Sequence, residues 1–204
     1  MYQPIQTNQM PRTQKIKNLI WGIVNSTFFR LTPSHLTIFR KTRICLLKAF
    51  GAKIDWSASV HPKAKIEYPW NLTMGPLSSL GEKTWIYAMA PITIGEKTCI
   101  GKDVYLITGS HNISSCNFEL ITKPIVVGNC CWLTTGVSVL PGVTIGDFSV
   151  IAVNSTVVKD VTEGSVVGGN PAKFIKTRVL TNIKFGGGSL ETVLPSSYME
   201  DLVA

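Results

Sequence analysis

The apolar residues between positions 54 and 157 fall on a period of six. Ile54, Val60, Ile66 and Leu72 are six apart; Leu80 and Ile86 follow after a step of eight, and Ile94, Ile100 and Leu106 after another. Val127, Leu133, Val139, Ile145, Ile151 and Val157 then run without a slip, and all fifteen positions are Val, Ile or Leu. A helix repeats about every 3.6 residues and a strand about every two, so neither alone explains six. A short strand plus a turn does. Each aliphatic then enters a shared core, and the residue two before it (Ile125, Cys131, Val137, Val143, Ser149 or Ser155 in the last run) fits an inner corner. Glycine follows the aliphatic at Gly81, Gly95, Gly101, Gly128 and Gly146 and is read as a turn residue. One such unit cannot bury its own face, so the units must stack into an all-β solenoid. The steps of eight predict two-residue bulges at corners. From Leu106 to Val127 is 21 residues, which predicts an extruded loop over 107–124, and this loop carries His111.

Ahead of the repeats, "KIKNLIWGIVNSTFFRL", residues 15–31, has helical spacing at Ile16, Leu19, Ile20, Ile23, Val24 and Leu31, weakened by Gly22. After Pro33, Ser34 is a candidate N-cap for a second helix ending near Phe50, with Gly51 as its stop. Leu36, Phe39, Leu46, Leu47 and Phe50 form its apolar stripe, and the basic residues sit mostly elsewhere on it. The expected organisation is a helical segment over 1–50, a solenoid over 51–178 and a tail over 179–204, the last with a flexible "GGG" at 186–188.

Charge sharpens that division. Residues 1–50 hold eight Lys or Arg and no Asp or Glu, while residues 51–204 hold twelve of each sign. The two helical stripes therefore either pack on the solenoid, leaving the charges for an anionic substrate, or form a basic amphipathic surface on an anionic membrane. Nothing resembles a nucleic-acid module, so no nucleic-acid partner is expected. The longest strongly apolar run, "LIWGIV" at 19–24, is far short of a membrane span. Five cysteines without a Cys-x-x-Cys, and no signal-peptide layout, point to a reduced, cytoplasmic location; Cys131 is read as a core filler.

The stretch "IVVGNCCWLTTGVSVLPGVTIGDFSVIAVNSTVVKDVTEGSVVGGNPAKFIKTR", 125–178, resembles the hexapeptide-repeat acetyltransferases, and within them the galactoside/maltose branch. "VYLITGSHN", 104–112, and "IEYPWNLTMG", 66–75, resemble the colanic-acid-type polysaccharide acetyltransferases. The resemblance covers about residues 15–178. It implies a left-handed parallel β-helix and a homotrimer with acetyl-CoA in a groove between subunits. It implies an O-acetyltransferase acting on a sugar or glycan precursor; since such precursors are often built on lipid carriers at the cytoplasmic membrane face, the basic segment is read as a candidate contact with the inner membrane face. It also implies a backbone N–H of Thr135 as oxyanion donor, Val153, Val158, Lys159, Lys173 and Lys176 around the CoA, and Tyr87 and Asn112 at the acceptor. Ala88 stands where relatives of this branch often have Asn, Asn112 where they often have Asp, and Asn154 where Gly is usual.

Acetyl transfer to an alcohol needs a base for the hydroxyl proton, and histidine titrates near operating pH. Of three histidines, His35 lies in the N-terminal helical region and His61 precedes Pro62 in an expected turn. His111 alone sits at the root of an extruded loop, able to work where water is excluded. Lysines suit the phosphates of CoA as point charges. A zinc enzyme on the same solenoid needs three histidines, and only His61 and His111 fall in the repeats, so no metal is expected. Two other readings stay open: an N-acetyltransferase of an amino sugar, and a solenoid that binds a partner without catalysis.

Overall fold

The computed structural model describes residues 12–33 and 37–180. His35, Ser34 and Leu36 lie outside the described residues, as does the tail from 181 onward. The period of six becomes a left-handed parallel β-helix of triangular section. The first face stacks Lys53–Ile54, Leu72–Met74, Ile92–Ile94, Ile125–Val127 and Thr144–Ile145. The second stacks Ser59–Val60, Ser79–Leu80, Cys99–Ile100, Trp132–Leu133, Val150–Ile151 and Ser165–Gly168, closed by the antiparallel strand Lys173–Thr177. The third stacks Lys65–Glu67, Trp85–Tyr87, Tyr105–Ile107, Ser138–Val139 and Thr156–Val157. All fifteen periodic aliphatics are at most 3% exposed. Cys131 is buried among them, and burial pushes its thiol up to about 11, as a core filler requires.

The register moves the first predicted bulge. Ile54 pairs with Met74 and Met74 with Ile94, so Met74, not Leu72, continues the first face. The extra residues therefore precede Leu72, in the 3₁₀ turn Pro69–Asn71. Leu72 and Met74 alternate inward on one three-residue strand, so apolar spacing alone could not choose between them. The second insertion spans 88–91 and the long loop 108–124. All three excursions leave the corner that joins the third face to the first.

The glycines after the aliphatics do not make the turns. The left-handed turn conformation falls further on, at Lys83, Lys97, Asp103, Cys130 and Phe148, and at Asn154 (φ 56°), which fills its position as Asn can. The glycines instead let coils approach. A Cβ on Gly81 would sit 2.5 Å from Gly101 O, and one on Gly95 2.5 Å from Gly128 O. Gly81→Ala should therefore lower the thermal midpoint clearly while leaving the site intact; an unchanged midpoint would show that the coils can separate there.

Neighbouring coils exchange hydrogen bonds in both directions: Asp55 N donates to Met74 O, Ser59 N to Ser78 O and Lys65 N to Thr84 O, while Lys97 N donates back to Pro76 O and Asp103 N to Glu82 O. The first coil is left with carbonyls that no coil beneath can satisfy, and buried carbonyls need donors. The N-terminal segment supplies them. It comprises α1 (Arg12–Val24), a π turn (Asn25–Phe29) and α2 (Thr37–Ala49). Trp21 Nε1 donates to Ile66 O at 2.7 Å, Lys48 Nζ to Ile54 O at 2.9 Å, and Arg43 Nε to Val60 O at 2.8 Å. Arg40 reaches Trp56 O and Ala58 O. The expectation that the basic residues of α2 lie away from its packed face is corrected: Arg43 is 1% exposed beside Ile44 and Leu47, because the edge it covers offers acceptors. Ile16, Leu19, Ile20 and Ile23 of α1 are turned outward; Trp21, against Phe29 and Phe50, with Val24 beside the core, docks the helix.

Candidate active site

The long loop opens as a hairpin, Gly109–His111 against Leu120–Thr122. Its base is pinned where Lys123 N donates to Thr108 O at 3.0 Å; Thr108 is buried and its Oγ1 donates to Tyr87 O at 2.7 Å. His111 ends the first hairpin strand, half-buried, with its ring stacked on Phe118 at 5.4 Å. Its Nδ1 lies 2.7 Å from Phe118 O. A carbonyl only accepts, so Nδ1 carries a proton, and when the ring is neutral its lone pair is on Nε2. That is the tautomer a general base needs.

Beneath the hairpin, Tyr87 meets the position of Gly109 so closely that a Cβ there would lie 3.0 Å from Tyr87 Cε1 and 2.9 Å from Met89 Sδ. Burial first, then the Glu67 carboxylate, raises the Tyr87 phenol pKa above its ordinary value, and burial first, then Tyr87 and Glu67, raises that of Tyr68. The Tyr87 hydroxyl therefore stays protonated and can donate. Asn112 shapes the loop: its side-chain Oδ1 accepts from Ser114 N at 3.1 Å and its backbone N–H donates to Glu119 O. Ala88 is fully buried and its methyl faces the core, so the residue type at 88 bears on packing. His61 is a turn residue, with Nδ1 accepting from Lys63 N at 3.2 Å.

Thr135 lies at a different corner, between Trp132–Leu133 on the second face and Ser138–Val139 on the third. It is exposed, and among the described residues its N–H has no acceptor, unlike that of Gly136, which donates to Lys102 O. Val153 stacks on the same corner through Asn154, whose N–H donates to Thr135 O at 2.9 Å. Val158 and Lys159 follow the third face, at the corner of the His111 loop. Lys173 and Lys176 pair with Gly168 and Val166 across a bulge. Because those partners are two apart, the bulge sets both lysines on one side, away from the buried Ser165 and Val167. One chain thus gathers Tyr87 with His111, and Val153 with Thr135, at two corners separated by the third face.

Arg178 escaped the sequence reading. Its Nη1 donates to Cys130 O and Phe148 O, holding the end of the last strand against two turns. Its residue type gives no sign of those distant partners. Among the described residues, no group of His, Cys, Asp or Glu could hold a metal ion.

No family model matches the chain. It is 42% identical over 166 residues to the colanic acid biosynthesis acetyltransferase WcaF of Escherichia coli, covering 81% of this chain and 90% of that one. The chain belongs to the hexapeptide-repeat acetyltransferases. Within that family it is also 34% identical to the galactoside O-acetyltransferase of Escherichia coli, over 72% of this chain and 74% of that one. The crystal structure of a hexapeptide-repeat acetyltransferase from Vibrio cholerae in complex with acetyl coenzyme A superposes with a TM-score of 0.74 at 26% identity, over 84% of this chain and 92% of that one. This family member is therefore an acyltransferase.

Proposed function

We propose that the protein is an acetyl-CoA-dependent O-acetyltransferase of a sugar or polysaccharide precursor. The observation that carries the reading is the 2.7 Å contact of His111 Nδ1 with Phe118 O, which leaves Nε2 as the free base at the mouth of the loop. Nε2 takes the acceptor hydroxyl proton as that oxygen attacks the thioester carbonyl. The Thr135 N–H faces the developing oxyanion. Collapse breaks the C–S bond, and the proton on His111 passes to the departing thiolate. Acetylated acceptor and free CoA result.

Since His111 and Thr135 occupy different corners, one chain does not complete this set. A homotrimer, in which one chain's loop corner meets its neighbour's Thr135 corner, does. The relatives named for colanic acid and for galactosides support a glycan acceptor, with Tyr87 as donor to it and Asn112 shaping the loop over it. The site of work is the cytoplasm, at the inner membrane face where glycan precursors ride on lipid carriers.

Incubation with acetyl-CoA and a panel of sugars and glycan repeats tests the activity through release of free CoA thiol. Mild alkali should then liberate acetate from the product, as from an ester. An alkali-resistant product would make the enzyme an N-acetyltransferase, and no thiol release with any acceptor would favour the non-catalytic solenoid.

The CoA assignment rests on Lys173 and Lys176 sharing one exposed side, with the apolar edges Val153 and Val158 and the cation Lys159 near the same end of the solenoid. Replacing both Lys173 and Lys176 by Ala should weaken acetyl-CoA binding about tenfold, as two exposed ion pairs allow, and should flatten its salt dependence. Calorimetric titration at two ionic strengths measures both. Unchanged affinity would return these lysines to bare surface.

A further inference from the structure

The outward face of α1 has no partner among the described residues. Ile16, Leu19, Ile20 and Ile23 are 58%, 67%, 50% and 59% exposed, and beyond the helix Leu31 and Ile38 are 80% and 70% exposed. Single exposed aliphatics are ordinary, but a contiguous stripe marks an interaction surface. The stripe is not a by-product of a loose helix, since Trp21 is buried on the opposite side and fixes which way the helix faces.

We infer that this face of α1 lies on anionic lipid, entering the interface between headgroups and acyl chains. The inference rests on the placement at the membrane proposed above and names the surface that makes it. Three observations select lipid. First, charge: the first 50 residues hold eight basic and no acidic residues. Arg40, Arg43 and Lys48 are spent on the first coil's carbonyls and Lys17 lies over the Trp70 ring, yet Arg12, Lys15, Arg30 and Lys41 stay exposed. Second, the hydroxyls along this surface are withdrawn. Ser26 Oγ donates to Gly22 O, Thr27 Oγ1 to Ile23 O and Thr42 Oγ1 to Ile38 O, so each hydroxyl proton is taken up by its own helix. Third, the helices are too short to span: among the described residues none is long and apolar enough to cross a membrane. A second copy of the chain is the poorer occupant, because it would set one basic segment against another. An amphipathic helix with a cationic rim and an apolar face is the chemistry of an interfacial membrane anchor.

The test is sedimentation of the full chain with phosphatidylcholine vesicles containing or lacking phosphatidylglycerol, at low and high salt, with CoA-thiol release assayed in parallel on a soluble acceptor. Wild-type protein should bind only the anionic vesicles and release them at high salt. Arg12→Gln with Lys15→Gln should weaken binding about 30-fold, given roughly fivefold per basic residue near anionic lipid. Leu19→Asp with Ile23→Asp should abolish it. Both variants lie outside the catalytic set and should keep wild-type turnover, which shows that they fold. Absence of wild-type binding at low salt, or binding that survives the two aspartates, overturns the inference. Those results leave acetyl transfer standing, and a chain that binds vesicles but transfers no acetyl group sinks the enzymatic reading alone.

Discussion

His111→Ala should retain the fold and its affinity for CoA yet lose at least ~100-fold in turnover, the usual contribution of a general base. The expectation comes from how the ring is held. Nδ1 bonds Phe118 O and the ring stacks on Phe118, while the strand itself is held by backbone pairing with Leu120. Removing the imidazole deletes two contacts within an exposed hairpin, and the buried coils do not feel it. Steady-state rates alongside a CoA titration separate the two effects. Near wild-type turnover would end the assignment of the base; lost CoA affinity would mean that His111 serves binding.

The largest effect on stability should come from Trp21→Ala. The indole is 1% exposed, packs against Phe29 at 5.9 Å and Phe50 at 5.0 Å, and donates to Ile66 O. Truncating a buried tryptophan costs about 3–5 kcal/mol, and here it also strands a first-coil carbonyl. Because α1 is fixed mainly through this side chain, the loss should be local: amides of 12–24 should exchange freely in deuterium while those of the coils stay protected. Uniform protection with unchanged stability would show that other contacts hold the helix.

These two residues also mark how far the sequence could be read. His111 was legible because an interruption of a strict period is itself a signal, and the histidine stands at its edge. The partner that sets its tautomer, the Phe118 carbonyl, was not, since any residue carries a carbonyl. The fifteen aliphatics fixed the solenoid, but Leu72 and Met74 both point inward, and only pairing with Ile54 chose Met74. In α1 the five aliphatics at helical spacing outnumber one Trp, yet an indole brings more buried area together with a donor, and the exposed carbonyls below demanded a donor. Which side of a short helix faces in depends on the surface it meets, and that surface includes distant residues such as Ile66, 45 positions on. Arg43 is invisible for the same reason: a buried guanidinium is reasonable only once Val60 O, Thr32 and Pro33 surround it.

The two open ends of the coil ladder carry a consequence for assembly in the cell. Each end of the bare stack would offer a rim of unpaired backbone groups, so the end of one molecule could pair with the opposite end of another. Such head-to-tail contact is translational and never closes on itself; it is the geometry of a filament. The Arg–Lys–Trp lid at the start and the antiparallel strand at the finish, pinned by Arg178, act as terminators, and they let the chain repeat a fibre-forming motif while remaining a discrete particle.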